Sequence, residues 1–463
     1  MTKSTSSLSV ILLILSTNLW SCSKFSEIPT TTVTTAPNTP AGIQPATLTW
    51  LGQAGIRIST VEPGTDASDL TPLKNMIGSA RVFGMGEATH GTHEFFAMKA
   101  RTFEYLVQQM GFTQFAIEAT APESEDLNRY VATGIGDPAL LLQNLYFWTW
   151  NTQEVLDLIV WMRAWNATHA PNARVEFHGF DMQFPGVAMD SLLAFTARSD
   201  SASANFVSSR FACLDNYRNH GYTFPSAPAY TSLPPAVRSS CASGLQDVFD
   251  RIHSDSTLDI GAISPATYAT LLHDARLVQQ FESLAGQPNM SAGQNSRDAY
   301  MAENVQWLLS QAGPTARMML WAHDEHIGAT TGSMGKNLRA AIGADYVNLG
   351  FLFATGSFNA RVPSSDGTTP LVSTETSLVP IGSLESAFAG TGQQLLLLDT
   401  RTIASGGSPA APLAGPIKMR AIGADYDPAS QALYFAIHWF PGDFQILMFV
   451  NTTSPSVLLP FAP

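Results

Sequence analysis

The chain has 463 residues, 45% of them hydrophobic, and a formal net charge of -13 from 24 Lys+Arg against 37 Asp+Glu. That much apolar chain can bury a large core, and an acidic balance with no Lys/Arg-rich run excludes an electrostatic footprint for nucleic acid. With 13% charged residues beside 34 Gly and 28 Pro, the composition is that of a loop-rich globular protein rather than a coiled coil or a disordered chain.

The first residues read as an address. Lys3 precedes a polar stretch, the apolar run 10–15 and then Leu19-Trp20-Ser21-Cys22. This order of basic, apolar and small residues is that of an export signal, and the apolar run is too short to span a bilayer. Leu19, Ser21 and Cys22 resemble a bacterial lipobox, with Trp20 bulky for its place in it. The pattern predicts removal of residues 1–21, a lipidated Cys22 and attachment to a bacterial membrane, facing the periplasm or the cell surface. Ser23 and Lys24 carry no acidic retention signal, which points to the outer membrane. Residues 22–46 are dominated by Ser, Thr and Pro and read as a tether, so the folded part is expected from 47 to 463. Export also bears on the two remaining cysteines: an oxidising compartment permits a bridge between Cys213 and Cys241, and they are expected to pair.

In the folded part, an apolar run at 82–85 breaks into Gly86-Glu87-Ala88-Thr89-His90-Gly91-Thr92. A helix follows, with Thr92 as its cap and Phe95, Phe96, Phe103, Leu106, Val107 and Met110 on its apolar face. Gly111 ends it, and a buried-strand candidate at 112–117 leads to Glu118, giving strand, helix and strand in succession. A long helical section carries Trp148, Trp150, Trp161 and Trp165. The third strand candidate, 175–181, ends at Asp181. Residues from about 188 to 312 read as a helical insertion interrupted by a Ser/Pro-rich stretch at 223–240. The fourth strand candidate, 318–322, delivers His323-Asp324-Glu325-His326. Further candidates lie at 346–354, 394–399, 432–439 and 444–450, the last two as a hairpin around Phe440-Pro441-Gly442-Asp443. The fold class expected is α/β, a mostly parallel central sheet flanked by helices, with the helical insertion over the cleft.

Sequence order alone thus places Glu87, His90, His323 and His326 at strand ends, where α/β folds keep their crevices. A neutral imidazole beside a carboxylate can take a proton from water near pH 7. No Gly-x-Ser-x-Gly elbow is present and no cysteine is left over, which disfavours a covalent nucleophile. Two rivals stand beside hydrolysis by activated water. Glu87-x-x-His90 and His323-x-x-His326 are able to supply ligands to a divalent metal, although neither His-Glu-x-x-His nor Cys-x-x-Cys occurs. A lipid-anchored protein that merely binds a hydrophobic ligand is the other.

Several segments in a shared order resemble the erythromycin esterase family: Gly86 to Thr92 with Glu94-Phe95-Phe96, Phe147-Trp148-x-Trp150-x-Thr152-x-Glu154-Val155, Trp161-Met162-Arg163-x-x-Asn166, Gly179-Phe180-Asp181, Arg297-Asp298-x-x-Met301-Ala302-Glu303-Asn304, and Trp321-Ala322-His323-x-x-His326. The resemblance runs from about residue 85 to 358. It implies hydrolysis of a small-molecule carboxylic ester, in the best-known members a macrolide lactone, without a metal cofactor. It assigns His90 as the base that activates water, Glu87 as the carboxylate beside it, and His323 and His326 as the other active-site histidines, for transition-state stabilisation and substrate orientation. Lys99, Glu118, Asp181 and Glu303 are the candidates for substrate contact. The chain departs from the family at Lys99, where an arginine is usual, and at Asp324, where an asparagine is frequent. A lysine loses the bidentate fork, and an aspartate adds a negative charge able to raise a neighbouring imidazole or attract a cation.

Overall fold

The computed structural model describes residues 43–199, 201–218, 229–254, 263–403 and 408–461. The export signal, Cys22 and nearly all of the tether lie outside the described residues. The first described helix is Pro45–Ala54. None of the described helices is long and apolar enough to cross a membrane.

Eleven strands are described: β1 (Ile56–Arg57), β2 (Val82–Met85), β3 (Gln114–Thr120), β4 (Glu176–Asp181), β5 (Met318–Trp321), β6 (Tyr346–Arg361), β7 (Leu371–Thr376), β8 (Leu395–Asp399), β9 (Ile417–Arg420), β10 (Phe435–His438) and β11 (Ile446–Thr453). Nine of them form one sheet in the order β1-β8-β11-β6-β2-β5-β3-β4, with β7 paired to β6. From β11 to β4 every neighbouring pair is parallel; β8 and β1 are antiparallel additions at one edge. All four residues of β2 and of β5, and all seven of β3, are buried. Strands covered on both faces need apolar side chains on both, and this explains why they read as unbroken apolar runs.

Two apolar layers sandwich the sheet. One packs Phe83, Phe115, Met319 and Phe351 against the helices His93–Met110 and Gln153–Thr168; the other packs Val82, Ala116, Leu320 and Leu352 against Met290–Ala312 and Met334–Ile342. A third core belongs to the helical insertion, where Met189, Leu192, Val207, Leu245 and Val278 pack together across Gly186–Ser199, Ser201–Phe211, Pro235–Ser254 and Pro265–Ala285. Cys213 and Cys241 are bonded in this third core, as expected from export. The bridge closes a separation of 28 residues, so replacing both cysteines by serine should lower unfolding stability by about 3.5 kcal/mol in the chain-entropy picture. Denaturant titration with and without reductant reads it.

The expected C-terminal hairpin does not form. β10 pairs antiparallel with β9 in a separate two-stranded sheet, while β11 enters the main sheet between β6 and β8. β11 is buried along Ile446 to Val450, so pairing on both sides satisfies its backbone where a hairpin with the half-exposed β10 would leave one side unpaired.

Candidate active site

Four adjacent parallel strands, in the order β2-β5-β3-β4, end on the same side of the sheet and deliver Glu87, His90, Glu118, Asp181, His323 and His326. The loop after β2 is held close to its neighbours at two glycines. A Cβ on Gly86 would stand 1.8 Å from Asp324 Oδ1, and one on Gly91 would stand 2.0 Å from the carbonyl oxygen of Asn359. A side chain at either position would push the loop off the sheet.

His90 Nδ1 lies 2.6 Å from Glu87 Oε1, and both residues are buried. The other carboxylate oxygen, Glu87 Oε2, accepts from Lys99 Nζ at 2.5 Å and from Trp321 Nε1 at 2.8 Å. Lys99 reaches there from the second turn of the His93–Met110 helix, fully buried, with its ammonium 4.7 Å from the centre of the Trp321 ring. Burial pushes the lysine below its usual value, opposed by the charge and hydrogen bond of Glu87. Lys99 therefore stands behind Glu87 and touches no open space, a different place from the substrate contact expected of it.

Glu118 sits where the β3–β4 register shifts between Ile117 and Thr120, an irregularity of the kind that re-aims a side chain. Its Oε2 accepts from the His323 backbone N–H at 2.9 Å and its Oε1 from Arg297 Nη2 at 2.7 Å. Burial opposes the charge on Glu118, but His326 and Arg297 outweigh it and hold the carboxyl well below the usual carboxylate range. Arg297 also grips Asp181 through Nε at 3.1 Å and Nη2 at 2.5 Å. Fork-like pairing of this kind is what a buried guanidinium requires.

His326 Nδ1 lies 2.8 Å from Asp298 Oδ1, while its Nε2 lies 3.2 Å from Glu118 Oε1 and 3.1 Å from Arg297 Nη1. His323 is engaged at both ring nitrogens: Nε2 donates to the Ile422 carbonyl at 2.8 Å, and Nδ1 accepts the Glu325 N–H at 3.2 Å. Burial, reinforced by the neighbouring His90, lowers His323 to about 4, so it is a neutral ring 5.1 Å from the His90 ring. Asp324 is buried. Burial pushes its carboxyl well above the aspartate range, its Oδ1 accepts the Phe351 N–H at 3.1 Å, and its Oδ2 meets no hydrogen-bond partner.

Glu303 does not join the cluster. It is 44% exposed and bound to Arg276 at 2.7 and 2.9 Å on the outer side of its helix. The groups that sequence reasoning left without a role are Arg297, Asp298, the Trp321 indole and the Ile422 carbonyl. The first two were quotable as charges inside a helix; a backbone carbonyl leaves no trace in sequence. Three donor-acceptor contacts seat the segment carrying Ile422 on the catalytic loop: Ile422 N–H to the Ala88 carbonyl at 2.7 Å, His90 N–H to that of Gly423 at 3.5 Å, and the His323 bond.

The next helix is pinned at its start. His93 contacts Glu154 at 2.7 Å and Glu62 at 3.1 Å, and these hydrogen bonds, resisted by partial burial, raise it to about 9. A folded value above the unfolded 6.5 means that the charged pair stabilises fully below pH 6.5 and is lost as pH rises through about 9. Between those values the protein should lose on the order of 2 kcal/mol, and His93→Gln should flatten that slope in urea unfolding followed against pH.

A sequence profile of the erythromycin esterase family matches residues 107–453. The chain is 24% identical over 339 residues to erythromycin esterase type II of Escherichia coli, covering 68% of this chain and 79% of that one. It is 22% identical over 356 residues to the hydrolase-designated protein YbfO of Bacillus subtilis (strain 168), covering 72% and 76%. Among solved structures, a variant of the erythromycin esterase EreC in its open conformation superposes with a TM-score of 0.65 at 15% identity, over 87% of this chain and 98% of that one. With three quarters of its length matched by the profile, and with a sheet flanked by helices like that of the EreC variant, this chain belongs to the erythromycin esterase family and is a hydrolase of that family.

Proposed function

We propose that the protein hydrolyses a carboxylic ester by direct attack of water activated by His90. The observation that carries this reading is the buried Glu87–His90 contact at 2.6 Å, backed by Lys99 and Trp321 on the far oxygen of the carboxylate. With Nδ1–H donating to Glu87, the basic lone pair of the imidazole is on Nε2. Water gives a proton to Nε2 as its oxygen bonds to the ester carbonyl carbon. The carbonyl π pair moves onto oxygen, and the tetrahedral species then collapses, breaking the bond to the alcohol oxygen. The imidazolium, stabilised by Glu87, returns its proton to that oxygen, so acid and alcohol leave and the enzyme is restored. The developing oxyanion falls to the Arg297 guanidinium beside His326, a fixed positive charge, since His323 directs its ring N–H to the Ile422 carbonyl and Lys99 lies behind the carboxylate.

Metal-assisted hydrolysis is the second reading. Glu87 holds three protein donors on its two oxygens, and His323 has neither nitrogen to spare, so a divalent ion would have to break these bonds to be bound. No group of three His, Cys, Asp or Glu side chains arranged to hold a metal occurs among the described residues. Turnover of a panel of activated esters and of erythromycin, followed by product mass, should be the same with and without a strong chelator. Loss of turnover on chelation, restored by a divalent ion, would transfer the reaction to a metal; tight binding with no turnover would make the protein a binder. Lipid attachment at Cys22 belongs to the same proposal, and a diacylglycerol adduct on the mature N-terminus is its test.

A further inference from the structure

Tyr146 is the one non-glycine residue among the described residues with φ in the left-handed region, at 62°. A bulky side chain is strained there, glycine is not, and retained strain of this kind concentrates where a ligand is held. The strain fixes the course of the loop before Trp150: the Tyr146 N–H bonds the Gln143 carbonyl at 3.0 Å, and the Trp150 N–H that of Phe147 at 3.2 Å. On this loop the Tyr146 ring meets Phe184 edge-on at 6.2 Å, and the Phe147 ring lies 5.5 Å from Phe184 at 31°. All three rings are partly exposed, whereas Trp148 and Trp150 are buried.

Each ring of the trio lies within four residues of a side chain that touches the site, Trp150 or Asp181. Trp150 Nε1 donates to the Glu118 carbonyl at 3.0 Å, and its ring stands edge-on to His90 at 5.7 Å. Phe184 follows Asp181, the partner of Arg297, by three residues, at the point where the chain leaves β4 for the helical insertion. Glu123, buried in the first turn of Ala121–Thr133, is near enough for its charge to act on the Tyr146 phenol, so the platform has a polar corner.

We propose that Tyr146, Phe147 and Phe184 form the subsite that seats the non-reacting arm of the substrate, an arm carrying a ring with an apolar face. This rests on the ester-hydrolase reading for the identity of the reacting arm. Aromatic rings give large, rigid contact area with little rotamer freedom to lose, which suits them to hold such a group beside the reacting carbonyl.

The test compares binding of phenethyl trifluoromethyl ketone with that of ethyl trifluoromethyl ketone by calorimetry. These ketones are not turned over, so the outcome stands apart from whether esters are hydrolysed. The wild type should prefer the phenethyl compound by about tenfold. Tyr146→Phe should keep the preference, while Tyr146→Gly and Phe184→Ala should bring it close to parity. A preference unchanged in Tyr146→Gly, or no preference in the wild type, would overturn the assignment.

Discussion

His90→Ala is expected to lower ester turnover by about a thousandfold or more while leaving the circular dichroism spectrum unchanged. General-base assistance contributes on the order of 10²–10⁴ in rate, and loss of the base cannot be made good by His323, whose ring nitrogens bond the Ile422 carbonyl and the Glu325 N–H. KM should change little, because a base acts on the transition state rather than on the bound ester. The variant also withdraws one donor from Glu87, but Lys99 and Trp321 still hold the other oxygen, so the fold should survive. Near-native kcat in His90→Ala would sink the assignment of this residue.

Lys99→Met should cause a large loss of stability. Lys99 and Glu87 are both fully buried, and removing one member of such a pair leaves an uncompensated charge at a cost of about 3–5 kcal/mol. Turnover should fall with it, because Glu87 is then free to turn away from His90. Lys99→Arg separates the two effects: it restores the charge and should recover much of the stability, with kcat recovering as far as the longer guanidinium lets Glu87 return to Nδ1. Urea unfolding and kcat measured on both variants read this, and a stable, fully active Lys99→Met would show that the lysine is incidental.

The strand-end clusters were legible because buried parallel strands must be apolar on both faces, so the first carboxylate or histidine after the run marks the mouth of the sheet. Glu87, His90, Glu118, Asp181, His323 and His326 all fall there. Glu303 misled because the family segment that contains it is one helix with two faces. It lies five residues past Asp298, about 140° around the helix, whereas Asn304, seven past Arg297, returns to the inner face and donates to the Phe180 carbonyl at 3.0 Å. The C-terminal pairing was hidden for another reason. β9 is only Ile417–Arg420, with Lys418 and Arg420 among four residues, too short and too charged to announce itself as the partner of β10. The surroundings of Asp324 were not legible, because a sequence gives the residue and withholds its burial.

These placements converge on the carboxylate at the centre of the site. Glu87 is fixed from the sheet by Trp321, from the helix by Lys99 and from its own loop by His90. Such rigidity suits a carboxylate that must hold one tautomer of one imidazole through a reaction cycle. It suits a metal ligand less well, since three protein donors already occupy the lone pairs.

The most direct test of the mechanism is single-turnover hydrolysis of an activated ester in ¹⁸O-labelled water, with the masses of product and intact protein followed together. Direct attack by His90-activated water predicts one labelled oxygen in the acid product, no acyl adduct on the protein at any time, and the same loss of about a thousandfold in rate in His90→Ala. An acyl-protein intermediate that forms and decays at the rate of turnover would contradict it.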